Sequence, residues 1–425
     1  MTTADPKREF AIEVVRRLQD DGFRALWAGG CVRDFLMGRV PQDYDVATDA
    51  RPETVRQLFG MRRTLAVGAS FGVIVVVGSK KSGNIEVATF RTEGAYADGR
   101  RPGHVVFSTP EEDAQRRDFT INGMFYDPLA EKVYDYVGGE QDLGAGIVRA
   151  IGNPAARMSE DKLRLLRAVR FAATLAFELE AATADAVSAQ AGEIRVVSAE
   201  RITQELRKML VDSHRGRAME LARQLGLLAE IVPELASALC PGPSEEATPA
   251  WTQALRRLRL LNEPNFELAT AALLFSLPDA GSAAGKICKR LRMSNEEVET
   301  IGWLLQHVEV VRVSQSKSLA ELKRLLAHSS VRDLLELARA DVLARDGDLS
   351  PVMHCEELLR QTPGDRLDPP PLITGGDLIA LGLEPGKLFR QILDAVRDAQ
   401  LNEEISTKDE AMSFVRRFLE QHGTD

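Results

Sequence analysis

The spacing of apolar residues divides this chain into two parts. Residues 7–20 carry apolar side chains at helical spacing, with Phe10, Val14, Val15 and Leu18 on one side. Short apolar or alternating runs, which are typical of strands, then follow at residues 23–28, 44–47, 73–78, 85–90 and 104–107. Glycine-rich breaks separate these runs. The pattern predicts that the first 150 residues form a small α/β or α+β domain holding one sheet.

After about residue 155 the spacing becomes helical almost throughout. Helix starts are indicated at Ser159, Ser198 and Ser294, because each serine is followed by acidic residues and an apolar repeat. Two proline-rich stretches, 241–249 and 363–371, are interpreted as linkers or loops between helical subdomains.

Composition narrows the class of protein. The 425 residues suffice for about two to four domains. No signal peptide is recognised, and no apolar run approaches the roughly 20 residues needed to span a bilayer. The four cysteines form no CxxC pair, so the sequence indicates neither a zinc site nor a disulfide framework. We therefore expect a cytoplasmic protein that does not contact a membrane.

The charge leaves a nucleic-acid partner open. A net charge of −9 argues mildly against one, since phosphate binders usually carry a positive excess. Binding depends on local charge, however. Basic residues cluster at Arg100 and Arg101, Arg116 and Arg117, Arg164, Arg167 and Arg170, Arg256, Arg257 and Arg259, and Lys286, Lys289, Arg290 and Arg292.

The first motif, GGCVRDFLMGRVPQDYD, occupies residues 29–45. A predicted strand ends in two glycines, and the following residues enter a helix that carries Arg33. Gly30 would let a triphosphate approach the backbone, where helix N-terminal amides favour an anion, and Arg33 would pair with a phosphate oxygen. Alone, such a motif is more often only a tight turn.

Asp43 and Asp45 add a second feature to this motif. Residues i and i+2 of a strand point to the same face, so the two carboxylates repel each other unless a cation lies between them. Mg²⁺ prefers oxygen ligands, and paired ions activate an attacking hydroxyl and stabilise a leaving group. A solvated turn is the alternative. The pair follows the GGxVRD segment by about nine residues, which favours a metal site.

Glu86 is the best candidate for a third metal-facing carboxylate. It lies on a later apolar strand, where an unpaired acid is costly to bury. A position facing solvent on an alternating strand is equally compatible with the pattern.

The second motif, RRDFTINGMFYD, occupies residues 116–127. Arg117, Asp118 and Asn122 supply a cation, an acceptor and a mixed donor and acceptor, a set that suits a triphosphate and ribose. The alternative is a helix N-terminus with Asp118 as its cap, followed by apolar anchors. Both interpretations are compatible with each other.

The third motif, SEDKLRLLRAVRFAATLAF, occupies residues 159–177. A polar stripe is predicted along one helix at Asp161, Arg164, Arg167 and Arg170, which recur every three residues. Glu160 and Asp161 are well placed in a first helical turn after a serine cap. The arginines have no matching acids at this spacing, so a phosphate or a base edge is expected to relieve their repulsion.

These motifs together resemble the class II tRNA nucleotidyltransferase and bacterial poly(A) polymerase family. The resemblance covers about the first 215 residues, through GGCVRD, DYD, RRDFTIN and EDKLRLLRAVRFA in this order, and the C-terminal helices match more loosely. It implies an α+β fold, with a polymerase-β-like nucleotidyltransferase head on a mixed sheet and an all-helical neck, body and tail. The implied boundaries are a catalytic head at 1–150, a nucleotide-selecting neck at 151–215, a body at 216–362 and an RNA-binding tail at 363–425.

The resemblance also implies roles for individual residues. Asp43 and Asp45 would bind Mg²⁺, and Glu86 stays a catalytic candidate beside them. The residues expected to contact bound CTP or ATP are Gly30, Arg33, Arg117, Asp118, Asn122, Glu160, Asp161, Arg164, Arg167 and Arg170. Among these, Glu160, Asp161 and Arg164 stand where family members read the incoming base.

The expected reaction is in-line attack of an RNA 3′-hydroxyl on the α-phosphate, with Mg²⁺ as cofactor and pyrophosphate leaving. Residues 62–77 look more like CCA-adding and A-adding members than like bacterial poly(A) polymerases, and the loop at 94–103 resembles the flexible element that CC-only enzymes lack. Addition of CCA or of a terminal A to tRNA is therefore favoured over CC addition. Poly(A) synthesis on an RNA 3′ end is the alternative. An inactive RNA-binding paralogue is less favoured, because both aspartates are present. The stretch 272–281 has no adjacent His-Asp pair, so no phosphohydrolase activity is expected.

Overall fold

The computed structural model describes residues 5–68, 72–93, 105–239 and 248–422. The chain forms two compact units, Met1–Glu246 and Ala247–Asp425. Among the described residues, no helix is both long and apolar enough to cross a membrane.

The first unit begins with the predicted amphipathic helix. Asp5 caps it by accepting a hydrogen bond from the Lys7 amide, and Pro6 occupies its first turn, where a missing N–H costs nothing. Its apolar face, including Phe10, Val14 and Leu18, is buried as expected. The head elements in chain order are α1 (Pro6–Asp20), β1 (Ala25–Ala28), α2 (Gly30–Leu36), β2 (Asp45–Thr48), α3 (Pro52–Phe59), β3 (Thr64–Gly68), β4 (Val73–Val77), β5 (Asn84–Thr89), β6 (Arg91–Glu93), β7 (Val105–Phe107), α4 (Pro110–Gln115), β8 (Phe125–Asp127), β9 (Lys132–Tyr134), α5 (Gly139–Ala145) and β10 (Ile147–Val148).

A seven-stranded mixed sheet forms the head, in the order β3-β4-β5-β2-β1-β8-β9. β2 and β5 run parallel, and the other neighbouring pairs in the sheet are antiparallel. β6 and β7 form a separate antiparallel pair. The five strands that the sequence predicts are present as β1, β2, β4, β5 and β7. The sequence pattern missed the sheet strands β3, β8 and β9, two of which have only three residues and so show no alternation.

The rest of the first unit is helical with one interruption. Its elements are α6 (Pro154–Glu160), α7 (Leu163–Thr174), β11 (Glu178–Leu179), α8 (Ala181–Ala189), α9 (Ala199–Leu210), α10 (Arg215–Gln224), α11 (Leu227–Ile231) and α12 (Pro233–Leu239). The strand β11 pairs in parallel with β10, a difference from an all-helical neck.

The predicted helix start at Ser159 is wrong. Ser159 lies inside α6, which Asn153 caps through the amide of Ala156, with Pro154 in the first turn. Asp161 then breaks the helix with an extended backbone, and α7 begins only at Leu163. The stripe from Asp161 to Arg170 therefore does not lie on one helix.

The second unit is helical. Its elements are α13 (Pro249–Leu260), α14 (Phe266–Leu274), α15 (Ala280–Arg290), α16 (Asn295–Arg312), α17 (Leu319–Leu326), α18 (Val331–Ala344), α19 (Ser350–Gln361), α20 (Gly364–Leu367), α21 (Gly375–Ala380), α22 (Lys387–Leu401) and α23 (Lys408–His422). Ser294 forms a capping box with Glu297, which confirms that predicted start, and Ser198 precedes α9 as expected. Residues 241–247 of the first proline-rich stretch lie outside the described residues, whereas the second includes the short helix α20.

A buried ionic cluster ties together three helices of this unit. Asp341 on α18 is fully buried and pairs with Arg257 on α13 at 2.9 Å. It also binds Arg312 on α16 and Arg345 on its own helix. Arg257 donates in addition to the carbonyl oxygen of Ala272, in the stretch 272–281. Such a cluster requires all its partners, since an unpaired buried charge is costly.

Candidate active site

Asp45 and Glu86 lie side by side on the central strands β2 and β5 of the sheet. They are directly paired in the register of the parallel strands β2 and β5, so their side chains share a face. Burial, and then the charge of Glu86, raise the pKa of Asp45 to about 6, with Asp43 adding to the effect and Arg117 opposing it. Part of the Asp45 side chain is exposed to solvent, yet the protein atoms packed around its carboxylate remove enough water to disfavour the charged form.

Asp43 completes this carboxylate group from the turn before β2. Its side chain is largely exposed, with the Lys7 ammonium 3.9 Å away. Tyr44 between the two aspartates points into the core instead, as alternation along an extended segment requires.

The chemistry of these three carboxylates fits a hard divalent cation. All the donors are oxygen atoms, and the mutual repulsion recorded in the raised pKa of Asp45 is what a bound cation relieves. Within the described ranges, no three acidic, histidine or cysteine groups form a ready-made metal cluster. Glu86 combines both interpretations offered by the sequence, because it is exposed and also adjacent to Asp45.

A glycine turn follows β1, the strand that pairs with β2. Gly29 adopts φ +74°, a conformation that L side chains rarely adopt. A Cβ atom on Gly29 would lie 2.9 Å from Nη1 of Arg117, whereas at Gly30 a Cβ would meet only Arg33 Nη2 at 3.7 Å. The backbone conformation that favours glycine is therefore at Gly29, and the approach of a triphosphate to the backbone at Gly30 stays a prediction.

Arg33 joins the first motif to the second. Its guanidinium is buried and donates to Asn122 Oδ1 at 2.7 Å and to Asp34 Oδ1 at 2.8 Å. It also lies 5.2 Å from the ring centre of Phe171 on α7. Asn122 in turn donates to Asp118 Oδ1 at 3.2 Å.

Asp118 is a buried acceptor and not an α-helix cap. Its Oδ1 accepts the amide of Phe119, and only a single 3₁₀ turn, Thr120–Asn122, follows before β8. The capping alternative is therefore wrong. Its Oδ2 accepts a hydrogen bond from Arg167 Nε at 2.7 Å. Burial favours the neutral acid, but Arg167 outweighs it and holds the pKa of Asp118 at about 2.

Each arginine of the neck motif has a carboxylate partner. Arg164 pairs with Glu160, Arg167 with Asp118, and Arg170 with Glu205 at 2.6 Å. The expectation that these arginines lack matching acids is wrong, because two of the acids come from segments distant in sequence. Their repulsion is thus already relieved by the protein.

Glu160, Asp161 and Arg164 lie together at the junction of α6 and α7. Besides Glu160, Arg164 donates to two main-chain carbonyl oxygens, those of Arg157 and Arg116, each at 3.0 Å. The carboxylate of Asp161 accepts the amide of Leu163 at 3.0 Å and Arg201 Nη2 at 2.8 Å.

Sequence reasoning missed three residues that hold this site together. Asp113 binds both Arg116 and Arg117, Arg201 binds Asp161, and Glu205 binds Arg170. For Asp113 a signal was present, because an acid three and four residues before two arginines faces them on a helix. The predicted loop 94–103 lies outside the described residues.

Three family models match successive parts of the chain. The model described as the Poly A polymerase head domain matches residues 25–149. The model described as the probable RNA- and SrmB-binding site of polymerase A matches residues 176–239, and the model for tRNA nucleotidyltransferase domain 2 matches residues 264–415.

Two curated relatives and one solved structure match this chain nearly end to end. The CCA-adding enzyme of Leuconostoc mesenteroides is 31% identical over 413 residues, which cover 96% of this chain and 95% of the relative. The CCA-adding enzyme of Bacillus subtilis is 33% identical over 413 residues, which cover 94% of this chain and 95% of the relative. The crystal structure of the Bacillus stearothermophilus CCA-adding enzyme in complex with CTP is 28% identical, covers 99% of this chain and 100% of its own, and has a TM-score of 0.78. The chain belongs to the CCA-adding enzyme family of tRNA nucleotidyltransferases.

Proposed function

We propose that this enzyme adds CMP and AMP, from CTP and ATP, to the 3′ end of tRNA to complete the CCA sequence, with release of pyrophosphate. The proposal rests on one arrangement: the guanidinium of Arg117 lies close to the glycine turn at Gly29, and the carboxylates of Asp45 and Glu86 are paired on the strands β2 and β5. The chain that carries this arrangement matches a CCA-adding enzyme over nearly its whole length. The relative from Bacillus stearothermophilus was solved with CTP, which supports CTP as a substrate.

Asp43 and Asp45 are the residues that would hold Mg²⁺, with Glu86 as the third candidate. Bound there, Mg²⁺ would lower the pKa of the attacking hydroxyl and neutralise charge on the triphosphate. Arg117 places positive charge beside the Gly29 turn, where phosphate oxygens would bind. In the reaction, the RNA 3′-oxygen forms a bond to the α-phosphorus, and the bond to the pyrophosphate oxygen breaks.

Asp161 and Arg164 are proposed to select the base. Cytosine and adenine both present an amino donor beside a ring-nitrogen acceptor on the Watson–Crick edge, whereas uracil and guanine do not. A carboxylate acceptor beside a guanidinium donor complements that edge. Both groups are already held by protein partners, Asp161 by Arg201 and Arg164 by Glu160. Their orientation is thus set before a nucleotide binds, which favours selectivity.

Addition of a terminal A alone and poly(A) synthesis remain the alternatives, since the head model also covers poly(A) polymerases. The nearly full-length matches to CCA-adding enzymes favour complete CCA addition. A cytoplasmic location, suggested by the cysteine pattern, stays a prediction.

A transcript series tests the product. tRNA transcripts that lack the last three nucleotides, lack only the terminal adenosine, or are complete are incubated with CTP, ATP or both. The proposed function predicts two C additions with CTP, one A addition to the second transcript, and no extension of the complete tRNA. Extension of the complete tRNA or of an unrelated RNA by many A residues would show poly(A) synthesis. A addition without C addition would show an A-adding enzyme.

A further inference from the structure

Asp113 is a buried carboxylate clasped by two arginines. It lies on α4 with 1% of its surface exposed. Its Oδ1 accepts hydrogen bonds from Arg116 Nε at 2.9 Å and Nη2 at 2.7 Å. Its Oδ2 accepts from Arg117 Nε at 3.1 Å and Nη2 at 3.0 Å. Each arginine thus binds one carboxylate oxygen through two N–H groups, and two such hydrogen bonds hold a guanidinium in a fixed orientation.

Arg117 is also held on its other sides. Its Nη1 donates to the carbonyl oxygen of Asn122 at 3.3 Å, and its guanidinium lies 4.9 Å from the ring centre of Phe125. The same Nη1 approaches the Gly29 turn so closely that a Cβ there would lie 2.9 Å away. Of the five N–H bonds of a guanidinium, three are engaged within the part of the chain that the structure describes. One on Nη1 and one on Nη2 stay available.

The charges around Asp113 leave positive charge at the turn. Burial works to raise the pKa of Asp113, but Arg117 and Arg116 outweigh it and keep that pKa below its usual value. One ionised carboxylate between two guanidinium groups leaves a net charge of about +1 in this trio.

We propose that Asp113 is a positioning residue for nucleotide binding, which holds Arg117 beside Gly29 with its two remaining N–H groups directed to the phosphate oxygens of CTP or ATP. This inference rests on the proposed function of the same site. Asp113 itself is too deeply buried to touch a nucleotide, so it acts through Arg117.

Asp113→Asn tests this role. The amide keeps the size of the side chain but loses the charge and presents an N–H₂ group toward one arginine. We expect the Kd and KM for both CTP and ATP to rise about tenfold, the loss typical of one charge-assisted contact, with a smaller change in kcat. Asp127→Asn is the matched control, since Asp127 is also buried in the head but binds the amides of Leu129 and Ala130. It should lower stability without changing either nucleotide constant.

A double-mutant cycle separates positioning from a general structural effect. If Asp113 acts through Arg117, then Asp113→Asn should add no further rise in Kd to a protein that already carries Arg117→Ala. A rise in Kd that adds fully in the double variant would overturn the proposal, as would an unchanged Kd in folded Asp113→Asn.

Arg117→Lys covers the case in which Asp113→Asn does not fold. Lysine keeps the charge but cannot make the two-nitrogen contact with Asp113. Its Kd for CTP should rise nearly as much as that of Arg117→Ala, and an unchanged Kd would show that charge alone suffices. Nucleotide binding is measured without RNA. Failure of the wild-type enzyme to extend tRNA would therefore contradict the proposed function alone, while the binding constants still decide the role of Asp113.

Discussion

Asp45 on β2 and Glu86 on β5 face each other across a parallel strand pair, and the charge of Glu86 is the second cause, after burial, of the raised pKa of Asp45. Two acids paired on neighbouring strands repel each other, and this repulsion is unfavourable for the folded protein. A bound divalent cation reduces the repulsion, so metal binding should stabilise this part of the folded protein.

Replacing either aspartate should therefore abolish activity without loss of the fold. We expect Asp43→Ala and Asp45→Ala each to reduce nucleotide addition by about a thousandfold or more, because metal charge stabilisation is worth several kcal/mol. Thermal melting should stay within a few degrees of the wild type, since both side chains lie at an exposed strand end. Asp49→Ala, at the other end of β2, is the control and should keep near-normal turnover. Near-normal turnover of both site variants at ordinary Mg²⁺ concentration would refute the metal site.

Gly29→Ala should affect both stability and nucleotide binding. With φ +74° and ψ −130° at this position, an alanine is strained by about 1–3 kcal/mol, and its Cβ would also lie 2.9 Å from Nη1 of Arg117. Gly38→Ala offers a matched control, because Gly38 has φ +70° but nothing within 4 Å of the added Cβ. We expect both variants to lose stability in urea denaturation, Gly29→Ala at least as much as Gly38→Ala, and only Gly29→Ala to raise the KM for CTP. Equal KM values in the two variants would show that Arg117 does not need this approach.

Asp118 should make stability depend on acidity. Burial raises its pKa, but Arg167 outweighs it, so the pKa falls from 3.8 to about 2 in the folded protein. A carboxylate with a lowered folded pKa stabilises the protein above its unfolded pKa, and that contribution is lost as the pH falls from about 4 to about 2.

The contribution corresponds to about 2 kcal/mol. The measurement is the free energy of unfolding of wild type and Asp118→Asn at pH 7, 5 and 3 and below. The gap between the two proteins should be constant from pH 7 to 5 and then shrink by about this amount. A gap that does not change with pH would mean that Asp118 has the same pKa in the folded and the unfolded protein, so that Arg167 does not lower it.

The sequence predicts those parts of the structure that depend on local spacing. Helix α1 and five strands follow from apolar periodicity. The i, i+2 spacing of Asp43 and Asp45 suffices to suggest a metal site. The start of α6 was also readable, since Asn153 and Pro154 form a regular cap and first turn. Ser159 carried a competing signal, and it was the weaker one because the chain turns at Asp161.

Pairings between distant segments were beyond such reasoning. Arg167 meets Asp118, 49 residues away, and Arg170 meets Glu205, 35 residues away. No local period encodes these contacts, because they depend on how α7 packs against the head and against α9. The same limit explains why three arginines at regular spacing looked unpaired.

These pairings sharpen the contrast between Arg164 and Arg170. Arg164 lies at the start of α7 beside Asp161, where the base is proposed to bind. Arg170 lies two turns further along, and its partner Glu205 is 3% exposed. The family resemblance implies that Arg170 contacts the nucleotide, whereas its pairing with a buried acid favours a role in stability.

Arg164→Ala should relax nucleotide choice. Loss of one good base contact is expected to reduce discrimination against UTP and GTP by about ten- to a hundredfold. Arg170→Ala should instead leave Glu205 buried without its main partner and lower the free energy of unfolding by about 3–5 kcal/mol. Four single-nucleotide incorporation rates, measured for each variant beside a thermal melt, separate the two. Unchanged preference in Arg164→Ala, with only a slower rate, would place base selection elsewhere. An equal rate loss for all nucleotides in a stable Arg170→Ala would instead indicate that Arg170 contacts a phosphate of the nucleotide.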